Sequence, residues 1–386
     1  MRMSTRILAP LIGVLALVGL AWVGTGLLSL TVLFGVVIPY TAVLLFLGGF
    51  VLRVLRWGKS AVPFVIPTTT GQQKTLPWIK QEKINNPDTT LQAVGRMALE
   101  VLFFRSLFKN TKTEKKGETL GVGSAKWLWL GALVFHWSML IVLTRHLRLF
   151  LDPVPVVIQT LGTVDTFLQV GVPPFYITGV LLLCTVTFLF LRRVVVPRVR
   201  YISLAADFFP LFLLIGIALS GILMRHFFKA DIIAVKEFAM GLVTLHPILS
   251  AELAPIFYIH LFMVSSLIAY FPMSKLMHAG GIFLAPTRNL PNNSRSHRHV
   301  NPWNYPVKVH TYAEYEDDFR EKMVKIGLPV EKELPPKEDS PEGSAGRGRS
   351  SLQEPDDRGQ LPLQDEQDAS EEEIAKEQAP FEEESE

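Results

Sequence analysis

The chain has 386 residues, of which 49% are apolar and 19% are charged. Residues 311–386 hold 24 Asp and Glu against 9 Lys and Arg, whereas residues 1–310 hold 11 acidic against 29 basic side chains. A basic body can indicate nucleic-acid binding, but the long apolar runs described next argue against that class.

Six apolar runs reach the 18–20 residues that a helix needs to cross a bilayer. They cover residues 7–23, 28–54, 127–149, 174–194, 205–227 and 254–278. A cleaved signal peptide is the alternative for the first run, but its length and its continuation into a second run favour a retained helix. We therefore predict an all-α integral membrane protein with about six transmembrane helices.

A single cysteine, Cys184, limits the chemistry of the chain. It excludes an intrachain disulfide, a Cys-ligated iron–sulfur cluster and a Cys-rich zinc site, because each needs several thiols. We expect Cys184 to be a small buried hydrophobe, since it lies within an apolar run.

Lys and Arg are concentrated in two of the connections between the apolar runs. Residues 53–126 carry 13 basic and 5 acidic side chains, and residues 192–203 carry four arginines and no acid. Residues 150–173 and 228–253 are nearly balanced or slightly acidic. Because basic connections stay in the cytoplasm, the first pair is predicted to be cytoplasmic, with both termini inside.

The connection after the second helix is too long for a plain loop. Two N-terminal transmembrane helices (1–54) precede a cytoplasmic insert (55–126), which opens with an extended Pro/Thr/Gly-rich piece. The insert continues with LQAVGRMALEVLFFRSLF (91–108), whose apolar residues recur at helical spacing. This amphipathic helix either docks a cytoplasmic partner or lies on the membrane surface.

The rest of the chain divides into a core and a polar end. Residues 127–285 contain the other four helices. Residues 286–330 are polar, include a predicted short helix over 311–327, and form the expected cytoplasmic partner-docking segment. Residues 331–386 are rich in Pro, Glu, Asp, Ser and Gly, so this acidic tail is predicted to be disordered.

Four histidines lie within the predicted membrane segments. His136 and His146 belong to the third run, and His260 and His278 to the sixth. An ionisable residue there indicates function, although a single one often only bonds a neighbouring helix. The two runs cross the membrane in opposite directions. His136 and His278 are therefore expected at a similar depth near the inner face, and His146 and His260 at a similar depth near the outer face. Eighteen residues are five turns, so we expect His260 and His278 on one face of a single helix, with Pro272 as a kink.

Paired axial imidazoles suit haem iron, whereas zinc needs three or four ligands that converge on one point. Small residues that would admit a macrocycle, and that equally ease helix packing, are Ser138, Gly179, Gly216, Ser220 and Gly221. Basic residues that would meet haem propionates, or simply reach the membrane surface, are Arg145 and Arg225 near the outer face and Lys275 and Arg193 near the inner face.

The spacing of the four histidines resembles a known family. The pattern His-x9-His followed by His-x17-His, with the ending FPMSKLMH (271–278), resembles the respiratory nitrate reductase gamma subunit family over residues 125–285. This resemblance implies a dihaem cytochrome b, in which His136 and His278 bind one haem b and His146 and His260 bind the other.

The insert carries a second resemblance. Its strings PTTTGQQKTLPWIK and GRMALEVLFFRSLFKN resemble the DsrM branch, the membrane cytochrome b of the DsrMKJOP complex associated with sulfite reduction, over most of residues 30–310. This implies a quinone-linked oxidoreductase subunit in the cytoplasmic membrane of a prokaryote. Electrons would pass between menaquinol or menaquinone near the outer haem and a cytoplasmic, DsrK-like iron–sulfur subunit that resembles heterodisulfide reductase, and the sequence leaves the direction open. The expected links are to DsrC, dissimilatory sulfate reduction and the other Dsr subunits.

The quinone site is weakly marked, and its candidates at the outer face are Arg148, Asp152, His226, Lys229 and Asp231. His297 and His299 are expected to be solvated or docking residues, and His246 has no assigned role. A haem-free membrane anchor or transporter is the alternative function, with the membrane histidines as polar contacts or a proton relay. The six runs show no convincing inverted repeat, which disfavours a transporter.

Overall fold

A computed structural model describes residues 3–60, 71–116, 119–167, 173–250, 253–295 and 310–333. The chain divides into two compact units, Met1–Asn304 and Tyr305–Glu386, and each is described by itself. The predicted disordered tail lies outside the described residues beyond residue 333, as do His297, His299 and residues 61–70 of the insert. Disorder of the tail therefore stays a prediction.

The described residues are mostly helical. In chain order up to residue 270, the α-helices are α1 (Met3–Gly26), α2 (Ile38–Gly58), α3 (Thr90–Phe103), α4 (Arg105–Lys109), α5 (Lys126–His146), α6 (Val156–Asp165), α7 (Ile177–Val195), α8 (Pro197–Ile202), α9 (Ala205–His226), α10 (Ile232–Val243) and α11 (Pro255–Tyr270). Two short helices, α12 (His278–Gly281) and α13 (Pro286–Asn289), follow in the first unit, and α14 (Tyr312–Lys325) lies in the second. One hairpin, β1 (Thr111–Lys116) with β2 (Thr119–Ser124), separates α4 from α5.

Six helices among the described residues are long and apolar enough to cross a membrane, which confirms the predicted all-α membrane fold. They span Ser4–Gly26, Leu33–Gly58, Lys126–Leu149, Ile177–Val195, Ala205–His226 and Pro255–Met273. Most of their apolar surface faces outward. Lipid can cover such an apolar surface. Helices suit this environment because their backbone N–H and C=O groups are hydrogen-bonded within the helix.

The helices pack closely where glycine allows it. Helices α1, α9 and α11 contact one another, and their buried core includes Tyr258 and Met263. A Cβ at Gly216 of α9 would lie 2.9 Å from the Met263 sulfur on α11. On the neighbouring pair α5 and α7, a Cβ at Gly131 would lie 2.5 Å from the Phe188 ring. Small residues therefore set both helix spacings.

Cys184 is exposed on the surface of α7, so the expectation that it is buried within the protein is wrong. The helix buries Thr178, Leu182 and Val186, which recur every four residues along one face. Residue 184 is two positions from that stripe, which turns it to the opposite face. Its apolar neighbours indicate contact with lipid instead of a protein core.

The sixth membrane segment is not one continuous helix. Helix α11 ends at Tyr270, and short 3-10 turns follow over Phe271–Met273 and Lys275–Met277 before α12 begins at His278. Pro272 has no N–H to continue the helical ladder, and Ser274 is extended, with φ −106° and ψ 176°. The expectation that His260 and His278 share one face of a single helix is therefore wrong.

The insert contains more structure than its sequence indicated. The helix predicted over residues 91–108 is broken at Phe104 into α3 and α4. Helix α3 buries Arg96 and Glu100, whereas Leu91 and Val94 are exposed. The hairpin that follows pairs Thr111–Lys116 with Thr119–Ser124 in antiparallel register, and it was not predicted.

The second unit confirms the short helix expected over residues 311–327. Helix α14 begins with a capping box, in which Thr311 and Glu314 satisfy each other's backbone N–H groups. Glu316 is buried and accepts hydrogen bonds from the N–H groups of Glu331 and Lys332 at 2.7 and 3.0 Å. These contacts fold the segment after the helix back onto it.

Candidate functional site

The fold brings the four membrane histidines together in two pairs. Helix α5 carries His136 and His146, which lie about 15 Å apart along its axis at 1.5 Å per residue. The rings of His136 and His278 have centroids 6.0 Å apart and planes inclined at 82°. The imidazoles of His146 and His260 lie close enough to interact electrostatically.

Each of the four imidazoles is oriented through its Nδ1 atom. In His136 and His146 it lies 2.7 Å from the carbonyl of Ala132 or Val142, one turn earlier in α5. In His278 it lies 2.8 Å from the Lys275 carbonyl. A carbonyl only accepts, so Nδ1 carries the hydrogen in these three rings, and Nε2 presents its lone pair.

His260 is oriented by a neighbouring helix instead. Its Nδ1 lies 2.9 Å from Ser220 Oγ on α9, and the Ser220 hydroxyl donates to the Ile217 carbonyl at 3.0 Å. The hydroxyl proton is thus used, so Ser220 accepts the imidazole N–H. A Cβ at Gly221 would lie 3.4 Å from His260 Cε1, which places the ring directly against α9.

These pairs fit haem iron better than zinc. Metal-binding histidines usually donate one ring N–H to a carbonyl or other acceptor and bind the metal through the second nitrogen. Two rings 6.0 Å apart leave room for a metal ion about 2 Å from a nitrogen of each. Within the described ranges, no group of three or more His, Cys, Asp or Glu is placed to hold a metal ion.

The small residues considered for haem access have different surroundings. Ser220 and Gly221 lie against His260, whereas Gly216 serves the contact with Met263 on α11. Ser138 is buried in α5. Among the described residues, the one atom within 4 Å of a Cβ built at Gly179 would be Tyr176 Cβ, at 3.9 Å.

The basic residues considered for haem propionates have protein partners. Arg145 forms an ion pair with Asp165 at 3.0 Å and lies 3.5 Å from the centre of the Tyr176 ring. Arg225 contacts the same ring at 4.1 Å. On the side of the membrane helices where His278 lies, Lys275 and Arg193 approach the Asp207 carboxylate at 2.7 and 3.9 Å. These pairs indicate structural roles for all four basic residues.

A cavity of about 990 Å³ opens beside the end of α5 that carries His146. Two of the five residues considered for quinone binding, Arg148 and Asp152, line it. Arg148 donates a hydrogen bond to the Tyr176 hydroxyl at 3.1 Å, and Lys236 approaches Asp152 at 3.3 Å. Both pairs present polar groups within an otherwise largely apolar lining, as ligand pockets generally do.

The other three quinone candidates do not line this cavity. His226 stacks on Phe175, with ring centroids 3.8 Å apart. Asp231 caps α10 by accepting from two backbone N–H groups, and Lys229 is an exposed residue with φ 45°.

Sequence reasoning missed several residues that the structure places at the site. They are Lys236, Glu237, Tyr176 and His246 in the cavity lining and Phe104 beside His136. The cavity combines segments far apart in the chain, so no local pattern marks it. A Phe-Phe pair at a helix end gave no signal that one ring would turn back onto a membrane helix.

Comparison with known proteins identifies similar chains. A family model described as the nitrate reductase gamma subunit matches residues 97–297, which include all four membrane histidines. A protein of Archaeoglobus fulgidus, named as an Hdr-like menaquinol oxidoreductase cytochrome b-like subunit, is 48% identical over 279 residues, or 70% of this chain and 83% of that protein. A protein of Archaeoglobus profundus with the same name is 42% identical over 275 residues, or 69% and 81%.

Proposed function

The chain belongs to the nitrate reductase gamma subunit family, and we propose that it is the cytochrome b subunit of a quinone-linked membrane oxidoreductase. It transfers electrons between menaquinol near one membrane face and an iron–sulfur subunit at the other. The observation that carries this proposal is the pairing of His136 with His278, each oriented through Nδ1. The relatives' names supply the quinol and the Hdr-like complex.

Two b haems are the cofactors that this arrangement would hold. His136 and His278 bind the inner haem, and His146 and His260 bind the outer one. Haem iron between two imidazoles takes up and releases one electron at a time. The protein contributes the ligand orientation, because the hydrogen-bonded Nδ1 atoms keep every Nε2 available for the metal.

The cavity beside His146 is the proposed quinone site. The Tyr176 hydroxyl and Arg148 form a polar end for a quinone oxygen, and Arg145 stacks behind the same ring. Quinol oxidation releases two protons, and Asp152 and His246 are acceptors in the lining. The Nδ1 atom of His246 donates to the Thr244 carbonyl at 2.8 Å, so its Nε2 is the basic nitrogen.

The orientation follows from the basic connections. With residues 53–126 and 192–203 in the cytoplasm, both termini are inside and the quinone cavity faces outward. We place the chain in the cytoplasmic membrane of a prokaryote. Protons from quinol are then released outside while electrons move inward, which separates charge across the membrane.

The cytoplasmic partner is proposed to be an iron–sulfur subunit of the heterodisulfide reductase type. The single cysteine of this sequence cannot ligate such clusters, which agrees with their belonging to a separate partner subunit. The insert is one proposed docking segment, and residues 286–330 are another. Within the DsrM branch this partner is DsrK-like, and the complex, with its other Dsr subunits, acts through DsrC in sulfite and sulfate reduction.

A reduced-minus-oxidised visible spectrum of the purified full chain, combined with a pyridine haemochrome assay, tests the proposal. We expect two b haems in the wild type and one in each of His136→Ala, His146→Ala, His260→Ala and His278→Ala. His226→Ala is the matched control, because His226 stacks on Phe175 outside both pairs, and it keeps two. A colourless protein prepared with haem supplied would instead support the anchor or transporter class.

A further inference from the structure

One residue of the insert has a backbone conformation that its type rarely adopts. Phe104, between α3 and α4, has φ 50° and ψ 46°, in the left-handed region. This conformation is unfavourable for a bulky L-residue, and glycine or asparagine adopts it more easily. Such outliers persist where the surroundings impose them, and they concentrate at functional sites.

Helix α5 holds the turn from one side. The indole N–H of Trp129 donates to the Phe103 carbonyl at 2.7 Å, and that of Trp137 donates to the Leu102 carbonyl at 3.0 Å. Both carbonyls belong to the last turn of α3, where no helical N–H remains to pair with them. The end of the insert helix is thereby fixed to the helix that carries His136.

The segment after His278 holds the turn from the other side. The Glu100 carboxylate accepts hydrogen bonds from both the N–H and the hydroxyl of Ser106, which spans the Phe104 turn. Arg288 of α13 pairs with Glu100 at 3.1 Å. The turn is thus tied to both chain segments that supply histidines to the inner pair.

These contacts place the Phe104 ring directly on His136. Their ring centroids are 4.9 Å apart and their planes are inclined at 82°. Phe135 packs on the same imidazole at 5.1 Å, and His278 lies at 6.0 Å. Two aromatic rings and the partner histidine therefore lie against the His136 imidazole.

We propose that Phe104 is a positioning residue for the inner haem, holding the His136 ring and keeping water from it. This inference rests on the proposed function. Oxidised haem carries more positive charge than reduced haem, so an apolar environment disfavours the oxidised form. Phe104 thereby raises the midpoint potential of the inner haem and makes it the better electron acceptor from the outer one.

The test is redox potentiometry of the full chain in membranes, with the two haems resolved. Phe104→Asn keeps a residue that tolerates the left-handed turn and removes the ring. We expect two haems, an unchanged outer potential, and a reduced-to-oxidised ratio of the inner haem at least about threefold lower at fixed ambient potential. That ratio corresponds to about 28 mV at 59 mV per tenfold change.

Phe103→Ala is the matched control, because the neighbouring ring is 53% exposed and its carbonyl bond to Trp129 involves only the backbone. It leaves both potentials unchanged, and Phe104→Tyr, which keeps a ring, stays near the wild type. Phe104→Gly removes the conformational strain altogether and is the second variant if the Asn variant folds poorly.

An unshifted inner potential in a two-haem Phe104→Asn or Phe104→Gly protein overturns the inference and leaves the proposed function standing. An equal shift of both haems also overturns it, since that indicates a general loosening of the bundle. A wild-type chain without haem contradicts the proposed function itself, so the two failures are distinguishable.

Discussion

Replacing Ser220 by alanine tests how the outer histidine pair is held. Ser220 is buried, accepts the Nδ1–H of His260 at 2.9 Å, and donates its own proton to Ile217. The other three membrane histidines bond carbonyls within their own chain segment. His260 is therefore the one membrane histidine of the four whose orientation depends on the contact between two membrane helices.

The size of the effect follows from the lost acceptor. Ser220→Ala removes the hydroxyl acceptor from the buried imidazole N–H of His260, which the Ile217 carbonyl also approaches. Loss of a buried acceptor costs about 1–3 kcal/mol, or about 5–150-fold in an equilibrium constant. Loss of the group that hydrogen-bonds to a metal-binding histidine typically weakens metal binding about 10–100-fold. The two ranges overlap, so we expect the outer haem to be held about 10–100-fold more weakly.

The assay is haem transfer to an excess of a haem-scavenging protein, followed by spectra that resolve the two haems. The outer haem of Ser220→Ala leaves faster while the inner haem keeps its wild-type rate, and Ser220→Thr restores the acceptor. Ser266→Ala is the matched control, since that hydroxyl donates to the Phe262 carbonyl of its own helix at 2.8 Å. Equal retention of both haems in Ser220→Ala would refute the reasoning.

Four further outcomes are expected. His260→Ala loses the outer haem alone, and two haems in its haemochrome assay would contradict the ligand assignment. Asp165→Ala removes the carboxylate that pairs with the buried Arg145 guanidinium and accepts hydrogen bonds from the N–H and hydroxyl of Thr178. This costs about 3–5 kcal/mol and lowers the melting temperature in detergent, whereas a Leu replacement of both Asp165 and Arg145 recovers only the part that comes from the ion pair. Removal of residues 335–386 leaves haem content and quinol oxidation unchanged, and loss of either shows that the tail is needed. Hydrogen bonds from Lys74 and Gln81 lower the pKa of Asp88 from 3.8 to about 2. The stability that these bonds add to the folded 71–88 loop is complete above pH 3.8 and is lost as the pH falls towards 2. Hydrogen exchange of the loop as a function of pH measures this loss.

The membrane helices were predictable because the bilayer sets a simple length rule. A run of 18–20 apolar residues crosses it. The first five runs became helices within about five residues of the expected bounds, whereas the helix of the sixth ends well before residue 278. Matching by depth placed His136 beside His278, and their rings do lie together. The role of either histidine as a haem ligand stays a prediction.

The break after α11 was harder to predict. Pro272 inside a helix produces either a kink or an end, and the choice depends on what satisfies the backbone that follows. Here the Ser274 side chain accepts the Leu276 N–H at 3.1 Å, so the chain can turn away from the helix axis. The outcome rests on one local hydrogen bond that hydropathy does not report.

The inner site and the cavity depend on contacts between distant segments. Phe104 reaches His136 because Trp129 and Trp137, more than twenty residues further along the chain, fix the end of α3. The cavity likewise combines α6, α10 and the turn after α5. Apolar periodicity describes each element separately, so it contains no information on which of these segments meet.

The two histidine pairs are consequently held by different kinds of structure. The outer pair depends on packing between membrane helices, since Ser220 of α9 orients His260 of α11. The inner pair depends on segments outside the long helices, because His278 lies on the short α12 and Phe104 comes from the insert. On the proposed function, a protein that binds the insert would contact the segments that hold the inner pair and not those that hold the outer pair. In the proposed direction of transfer, the inner haem is the one from which the partner would receive its electrons.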